Sequence, residues 1–211
     1  MNGVIGCLMT EAGQQIKVEM LHELACHNLF PVEQEPPGKL AEYPALYYAI
    51  QMALDTKSPI LYVHTKGAAN SIPFIPPIPG RKSIPDFMPS GATLRDWQPT
   101  VRKMWYHEFT GRKLNEYITV VSTDMPMVAC PFTGKGKATW MNGFIMNCSA
   151  AQELYKVFKY TDNRYWYEVM FNDCHNVNVH GLISNTINYP MDDSRFEMYK
   201  EIWKFYKPNK Q

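Results

Sequence analysis

The sequence predicts an α/β fold with a mostly parallel central sheet flanked by helices, and three stretches carry this prediction. Ile60-Leu-Tyr-Val63 is a short apolar, β-rich run between Pro59 and Gly67, which is typical of a central strand buried on both faces. Val4–Met9 has the same character and predicts the first strand. Residues 42–55 predict a helix, because apolar residues recur at helical spacing and a proline stands in the first turn, where it is tolerated. A strand, a helix and a second strand in this order indicate parallel pairing with a right-handed crossover.

Length and composition bound the class of protein. The 211 residues suffice for one α/β domain, so we expect a single domain over residues 1–211, standing alone or as one domain of a larger protein. A net charge of +1 gives no electrostatic basis for binding nucleic acid. The 5 cysteines lack metal-finger spacing, which favours free thiols in a reducing cytosol. Because we find no signal peptide and no run of roughly 20 apolar residues, we expect a cytoplasmic protein without a membrane span.

The rest of the chain predicts further elements around these three. Residues 10–15 predict a polar loop at the carboxyl end of the first strand. Apolar residues at helical spacing predict helices at 16–29, at 94–109, from Ala150 onward and after Asp192. The helix from Ala150 is indicated by the capping-box spacing of Ser149 and Gln152. Apolar runs and turn residues predict strands at 117–121 and 139–147 and a loop at 30–38.

One long segment stands out because it has no periodic pattern. Residues 68–96 are dense in proline and far exceed the roughly 2–6 residues common for loops in α/β units. The segment also carries several apolar side chains, which argues against plain disorder. We therefore expect a partly ordered flap over a binding site.

Polar residues follow the predicted central strand, at the edge where open α/β sheets bind ligands. His64, Thr65, Lys66 and Gly67 offer an imidazole, a hydroxyl, a cation and close backbone approach, which together suit a phosphate-bearing ligand. An ordinary strand exit with a solvated lysine explains the same residues. Thr10 lies at the end of the first strand, the usual place of a nucleotide-binding loop, although no glycine-rich phosphate motif is present.

Three carboxylates and two other residues on predicted elements are further candidates. Asp124 follows the predicted strand 117–121 and either contacts a sugar or metal or caps a turn. Glu168 lies in an aromatic stretch and has either a catalytic role or a structural ion pair. Glu42 begins a helix and either stabilises the helix dipole or faces the site edge. The predicted helix 94–109 carries Arg102, which meets a diphosphate or forms a solvated face, and Trp97, which stacks on a ligand or fills the core.

Tyr62-Val-His-Thr-Lys-Gly67 resembles the Y-x-H-(T/S)-K-G signature of a family of bacterial and viral proteins assigned as glycosyltransferases. Further landmarks follow in the family's order over roughly residues 40–172, although Gln98 replaces an arginine and Gly143-Phe144 lacks the family's paired tryptophans. These landmarks are Glu42-Tyr-Pro-Ala-Leu46, Trp97 with Met104, Asn142-Gly-Phe144, and Glu168.

The resemblance implies a GT-A-like domain that transfers a sugar from a nucleotide-diphosphate donor to a carbohydrate acceptor. It places His64, Thr65, Lys66, Gly67, Trp97, Arg102, Asn142 and Gly143 at the donor, with Glu168 and then Asp124 as candidate bases. Thr10 joins the predicted donor site through its position at the end of the first strand. The Asp-x-Asp motif that holds a divalent metal in many such enzymes is missing, so either Lys66 neutralises the diphosphate or Mn²⁺ or Mg²⁺ is held by a lone carboxylate such as Asp124. The missing motif also suits a non-catalytic module that binds a nucleotide sugar or carbohydrate.

Overall fold

One mixed sheet organises the computed structural model, which describes residues 1–34, 42–65, 84–134, 136–161, 163, 166–185 and 194–208. Within these residues the strands are β1 (Asn2–Leu8), β2 (Asn28–Gln34), β3 (Ile60–His64), β4 (Met127–Phe132), β5 (Phe144–Met146) and β6 (Asn178–Ser184). Their order across the 6-stranded sheet is β2-β1-β3-β5-β4-β6. β1 pairs in parallel with β2 and β3, β4 pairs in parallel with β6, and β5 is antiparallel to β3 and β4. The predicted α/β class with a mostly parallel sheet is confirmed, and the carboxyl ends of all strands except β5 meet at one edge.

Helices cover both faces of this sheet. The α-helices of the described residues are α1 (Glu11–Glu23), α2 (Tyr43–Thr56), α3 (Trp97–Glu108), α4 (Gly111–Val121), α5 (Cys148–Val157), α6 (Trp166–Val169) and α7 (Ser194–Trp203). Side chains of α1, α3, α4 and α7 form one buried cluster, and those of α2, α5 and α6 form the other. Alternation along β3 feeds both clusters, since Leu61 and Val63 join the first while Ile60 and Tyr62 join the second. The central strand is therefore buried on both faces, as its apolar run predicts.

The first connection differs from the predicted polar loop at 10–15. Helix α1 begins at Glu11, and the Thr10 hydroxyl caps it by accepting a hydrogen bond from the Gly13 backbone N–H at 3.1 Å. A Cβ on Gly13 would stand 2.1 Å from the Leu8 carbonyl oxygen, so glycine lets the helix start directly against the end of β1. The helix ends at Glu23 rather than at residue 29.

Strand β2 occupies residues predicted to be the end of a helix and a loop. Pro31 lies inside it, and a proline cannot donate a hydrogen bond to a neighbouring strand. β2 is an edge strand that pairs only with β1 in the described sheet, and such a strand tolerates proline. The loop prediction for residues 30–34 is therefore wrong.

The predicted strand at 117–121 is also wrong, because these residues form the second half of α4. Tyr117 and Val121 stand four residues apart and are both buried, so the segment packs as one face of a helix despite its β-branched composition. Strand β4 follows it. Likewise, the predicted strand at 139–147 is a 3₁₀ turn at Trp140–Asn142 followed by the short strand β5.

Other helices match their predictions more closely. α2 and β3 lie within one residue of their predicted bounds, and α3 follows a 3₁₀ turn at Leu94–Asp96. α5 begins at Cys148 with Asn147 as its cap, so the predicted capping box at Ser149 is wrong. Of the predicted 68–96 flap, the part up to residue 83 lies outside the described residues, and a second 3₁₀ turn spans Ile84–Phe87.

No helix among the described residues combines the length and the apolar character needed to cross a membrane.

Candidate functional site

A cluster of polar side chains lies at the carboxyl end of the central strand. We call it the Glu42 cluster, and its members come from the end of β2, the start of α2, β3 and the turn before β5. They are Gln34, Glu42, Tyr62, His64 and Asn142. α2 begins beside the edge where β3 ends, so Glu42, at the start of α2, lies next to the carboxyl end of β3.

Glu42 is the centre of the cluster. The Asn142 amide nitrogen donates to Glu42 Oε2 at 2.8 Å, and the Tyr62 hydroxyl donates to the same oxygen at 3.1 Å. His64 Nε2 lies 3.9 Å from the other oxygen, Oε1. The side chains of Glu42 and His64 are only 19% and 13% exposed, so the carboxylate is held by fixed protein donors in a poorly solvated corner.

Tyr62 connects this carboxylate to the edge strand. Gln34 at the end of β2 donates to the Tyr62 hydroxyl at 3.2 Å, which gives the continuous path Gln34 to Tyr62 to Glu42. Burial, and then the nearby charge of Glu42, raise the pKa of Tyr62 well above its ordinary value. The phenol therefore stays protonated and acts as a donor to the carboxylate. A Cβ on Gly6 would stand 2.2 Å from Gln34 Nε2, so glycine in β1 leaves the room that Gln34 needs.

The turn that supplies Asn142 has an uncommon backbone. Met141 has φ 69° and Asn142 has φ 49°, so two successive non-glycine residues lie in the left-handed region. Such conformations cost free energy and are found where the surroundings hold a particular arrangement, often at functional sites. Here they turn the Asn142 amide toward Glu42 and the Met141 carbonyl toward His64 Nε2, 3.3 Å away.

His64 is held between this turn and α3. A carbonyl oxygen only accepts hydrogen bonds, so the contact with Met141 favours a proton on Nε2 of His64. The imidazole ring lies 5.6 Å from the Trp105 ring, centroid to centroid. A Cβ on Gly143 would stand 2.4 Å from Trp105 Nε1, so the tryptophan packs directly against the backbone of the turn. Trp105 Nε1 is itself buried and has no hydrogen-bond acceptor within the described part of the chain.

Thr65, a predicted donor-binding residue, has a structural position instead. Its hydroxyl accepts a hydrogen bond from the Leu8 N–H at 3.1 Å, its own N–H donates to the Gly6 carbonyl at 2.8 Å, and it is only 2% exposed. It ties the end of β3 to β1. Lys66 and Gly67, which follow directly, lie outside the described residues.

Thr10 lines an open pocket of about 340 Å³ between the ends of β1 and β2 and the first turns of α1. The polar and thiol-bearing residues around it are Cys7, Thr10, Glu11, Gln14, Lys17 and Glu33. Burial raises the pKa of the Cys7 thiol to about 11, so this cysteine is a neutral side chain and not a thiolate nucleophile.

Two predicted donor-binding residues belong to the helical layer instead. Arg102 pairs with Glu19 of α1, with its Nη2 3.1 Å from Glu19 Oε2, and is only 7% exposed. Trp97 packs edge-on against Tyr199 of α7, with the ring centroids 4.8 Å apart. Both residues join α1, α3 and α7, as the core-filling alternative for Trp97 predicts, and their contacts with a diphosphate or sugar stay predictions.

The two predicted bases lie in different places. Asp124 is exposed in the turn between α4 and β4, at the amino-terminal edge of the sheet, because the segment before it is a helix and not a strand. The prediction that it follows a strand's carboxyl end is wrong. Glu168 lies in α6, half-buried, and its backbone carbonyl accepts a hydrogen bond from the Thr139 N–H at 2.7 Å, which connects α6 to the turn that carries Asn142.

The sequence predicts His64 and Asn142 at the donor, offers Glu42 only as a helix-dipole residue or one that faces the site edge, and does not select Tyr62 or Gln34 as site residues. Glu42 had a detectable signal, since it opens the helix that leads into the His64 strand. Tyr62 enters the sequence prediction as part of an apolar run and as the first residue of the signature, and Gln34 lies in strand β2, which the sequence pattern does not predict. Among the residues that the structure describes, no three His, Cys, Asp or Glu side chains are grouped so that they would hold a metal ion.

The fold and this cluster define an α/β protein with a candidate ligand site at the carboxyl edge of its sheet. Comparisons with protein-family models, with curated proteins and with solved structures found no match for the chain.

Proposed function

We propose that the chain is a GT-A-like glycosyltransferase that moves a sugar from a nucleotide-diphosphate donor to a carbohydrate acceptor. The observation that carries the proposal is Glu42, a carboxylate held by Tyr62 and Asn142 beside His64 at the end of the central strand. The mostly parallel sheet, with its polar residues at the carboxyl edge, is compatible with this class. The signature from Tyr62 to Gly67 adds the resemblance described above.

Glu42 is the base in this proposal. In an inverting transfer, Glu42 takes the proton of the acceptor hydroxyl, the acceptor oxygen bonds to the anomeric carbon, and the bond from that carbon to the phosphate oxygen breaks. The nucleoside diphosphate leaves with the electron pair. Because Tyr62 and Asn142 both donate to Oε2, they fix the carboxylate so that Oε1 keeps the orientation it has beside His64. Glu168, the base predicted from the sequence, is an alternative that a variant can test.

The donor's charge requires a counterpart near the carboxyl edge. When both ring nitrogens of His64 carry a proton, this residue supplies one positive charge within the cluster, and Lys66, which follows Thr65 directly in the sequence, is the predicted second cation. The pocket beside Thr10 has room for part of the nucleotide. A divalent metal such as Mn²⁺ or Mg²⁺ would add further neutralisation, and its contribution is measured by comparing turnover with and without the ion.

We place the reaction in the cytoplasm, as a step in building a polysaccharide. All five cysteines are free thiols in the structure, and this is typical of a reducing compartment.

A screen of nucleotide sugars tests the proposal. The protein is mixed with uridine, guanosine, cytidine and thymidine diphosphate sugars, and we expect one class to raise the melting temperature, since a ligand that binds only the native state stabilises it. Slow release of free sugar from the same donor, measured with and without manganese, then shows turnover. Lys66→Ala is expected to weaken donor binding, with Lys113→Ala, an exposed lysine on α4, as the control.

Two results would contradict the proposal in different ways. If no nucleotide sugar raised the melting temperature or produced heat in a calorimeter, the chain would not be a nucleotide-sugar enzyme. If a donor bound tightly but was neither hydrolysed nor transferred, the non-catalytic binding module would be the correct interpretation.

A further inference from the structure

A row of aromatic side chains lies on the protein surface beside the Glu42 cluster. We call it the tyrosine patch, and it is formed by the first turns of α2, the end of α5 and the segment leading into α6. Its members are Tyr43, Tyr47, Tyr155, Phe158, Tyr160 and Trp166.

Three rings of the patch are stacked nearly in parallel, and the other three are tilted or perpendicular to their neighbours. Tyr43 stacks on Tyr47 with 5.9 Å between centroids and 13° between planes, and it stacks on Phe158 at 5.2 Å and 16°. Tyr155 contacts Tyr47 at 6.5 Å. Packing between the rings fixes their orientation, so the patch presents a preformed surface with little side-chain freedom to lose on binding.

The outer rings are exposed to an extent that is unusual for large aromatic residues. Tyr47 is 39% exposed, Tyr155 is 49% exposed and Tyr160 is 47% exposed. Contiguous exposed aromatic surface on a folded protein commonly marks a binding site. Each of these three side chains also carries a hydroxyl, so the patch combines apolar ring surface with groups that donate and accept hydrogen bonds.

The patch and the Glu42 cluster share the start of α2. Tyr43 follows Glu42 directly in the first turn of α2. Tyr167, which is buried, packs against Phe158 and Trp166 on one side. Burial raises the pKa of Tyr167, the hydrogen bond to the Thr161 carbonyl opposes the change, and the negative charge of Glu42 adds to the rise.

We infer that the tyrosine patch binds the carbohydrate acceptor, with an oligosaccharide lying along the rings and its terminal hydroxyl reaching Glu42. A pyranose ring has an apolar C–H face and a rim of hydroxyls, which match aromatic faces bordered by phenol groups. Among the described residues around the patch, Lys156 pairs with Glu153, Lys159 lies over the Trp166 ring, and Asp173 accepts a hydrogen bond from Trp166 Nε1 at 3.0 Å. These described charges are of both signs, which suits a neutral saccharide better than a phosphate-rich or strongly acidic partner. The inference rests on the proposed function, because it names the substrate that the same site would accept.

Binding of oligosaccharides to the full chain tests the inference. A printed array of microbial and mammalian glycans identifies the saccharides that bind, and calorimetry then measures the best of these with the wild-type protein and with Tyr47→Ala and Tyr155→Ala. Each substitution is expected to weaken saccharide binding by about fivefold or more, because each removes an exposed ring. Tyr47→Phe is expected to retain most of the affinity, since the ring remains.

Tyr48→Ala is the matched control, because Tyr48 lies on the same helix and is 42% exposed but belongs to none of the ring contacts of the patch. Binding of the nucleotide sugar found in the screen is measured for every variant and is expected to be unchanged. These measurements distinguish the two proposals. A variant that loses only saccharide binding assigns that binding to the patch. A wild-type protein that binds no nucleotide sugar contradicts the proposed function, whatever the patch binds.

Three outcomes would overturn the inference. The first is an array on which no glycan binds while a nucleotide sugar does. The second is saccharide binding that Tyr47→Ala and Tyr155→Ala leave unchanged. The third is a wild-type dimer in sedimentation velocity that both substitutions dissociate, which would make the patch a contact between copies of the chain.

Discussion

The two edges of the sheet both bury polar groups, but they use them differently. At the amino-terminal edge, His27 Nε2 lies 2.7 Å from the Phe109 carbonyl, and the Tyr117 hydroxyl donates to Glu108 at 2.8 Å. These contacts join the end of α3 to the start of β2 and to α4. At the carboxyl edge, Glu42 receives its hydrogen bonds through a turn whose Met141 and Asn142 are left-handed.

The carboxylates at the two edges, Glu108 and Glu42, have different roles. Glu108 is 3% exposed and joins helices in ordinary conformations, so its hydrogen bonds mainly stabilise the fold. The Glu42 side chain is more exposed, and the backbone turn that supports it carries a conformational cost at Met141 and Asn142. A strained arrangement around a partly accessible carboxylate is typical of a site that binds or reacts.

The largest expected difference comes from removing one charge at each edge. Glu42→Gln keeps the size of the side chain but removes the base, so we expect sugar transfer to fall by about 10²–10⁴-fold, with a small change in melting temperature. Glu108→Gln is expected to lower the free energy of unfolding by about 1–3 kcal/mol and to leave the transfer rate of the folded protein unchanged. Transfer kinetics and urea denaturation of both variants provide the measurement.

Effects that are reversed or equal in the two variants would contradict different roles for the two edges. A Glu42→Gln protein with wild-type turnover would make Glu168 the better candidate base, which Glu168→Gln then tests directly.

Two glycines extend the contrast between the two edges to side-chain packing. Gly143→Ala places a Cβ 2.4 Å from Trp105 Nε1, so we expect it to cost about 1–3 kcal/mol and to displace the ring that contacts His64. Gly111→Ala at the other edge meets no atom within 4 Å but has φ +52°, so it is expected to cost about 1–2 kcal/mol through backbone strain alone. Only the first variant should reduce donor turnover. Equal activity in the two variants would show that Trp105 does not position His64.

Local signals explain which parts of the fold were predictable. The α2–β3 unit was predicted almost to the residue because a proline in the first turn, helical spacing and a β-rich run all lie within 25 residues of sequence. β2 was missed because Pro31 opposes a strand unless the strand lies at an edge, and edge position depends on the whole sheet. Tyr117–Val121 favours a strand locally, and burial of one helical face overrides that preference.

The candidate site was predictable only in part for the same reason. His64 follows a strand that is readable from the sequence, so its place at the edge was predicted. The contact between Asn142 and Glu42 joins residues 100 positions apart, and it forms only because β5 runs antiparallel beside β3. Asp124 was misplaced because its strand does not exist. Nothing in the local pattern indicates that Tyr62 turns its hydroxyl toward a carboxylate.

Two tyrosines allow a smaller and matched test. Tyr62→Phe removes a donor from Glu42, and losing a hydrogen bond to the charged form raises the pKa of a carboxyl group. We therefore expect the acid limb of the pH–rate profile to move to higher pH and kcat/KM near neutral pH to fall by about tenfold or less. Tyr117→Phe makes the same chemical change beside Glu108 and is expected to leave that profile in place. A profile that moves in neither variant would argue against Glu42 as the titrating base.

The smallest expected effect concerns His27 and the stability of the amino-terminal edge. Burial lowers the pKa of His27 below its usual value of 6.5, although its contact with the Phe109 carbonyl opposes the change. The unfolded chain therefore binds a proton more readily than the folded one, so stability that is fully present above about pH 6.5 is lost as the pH falls from there. We expect His27→Asn to be less stable at pH 7.5 but to lose less melting temperature between pH 7.5 and pH 5.5 than the wild type. His22→Asn, on a side chain that is 86% exposed, should leave the wild-type slope intact. If the two variants had the same slope, the acid sensitivity would arise elsewhere in the molecule, and the amino-terminal edge would lose its distinct role in stability.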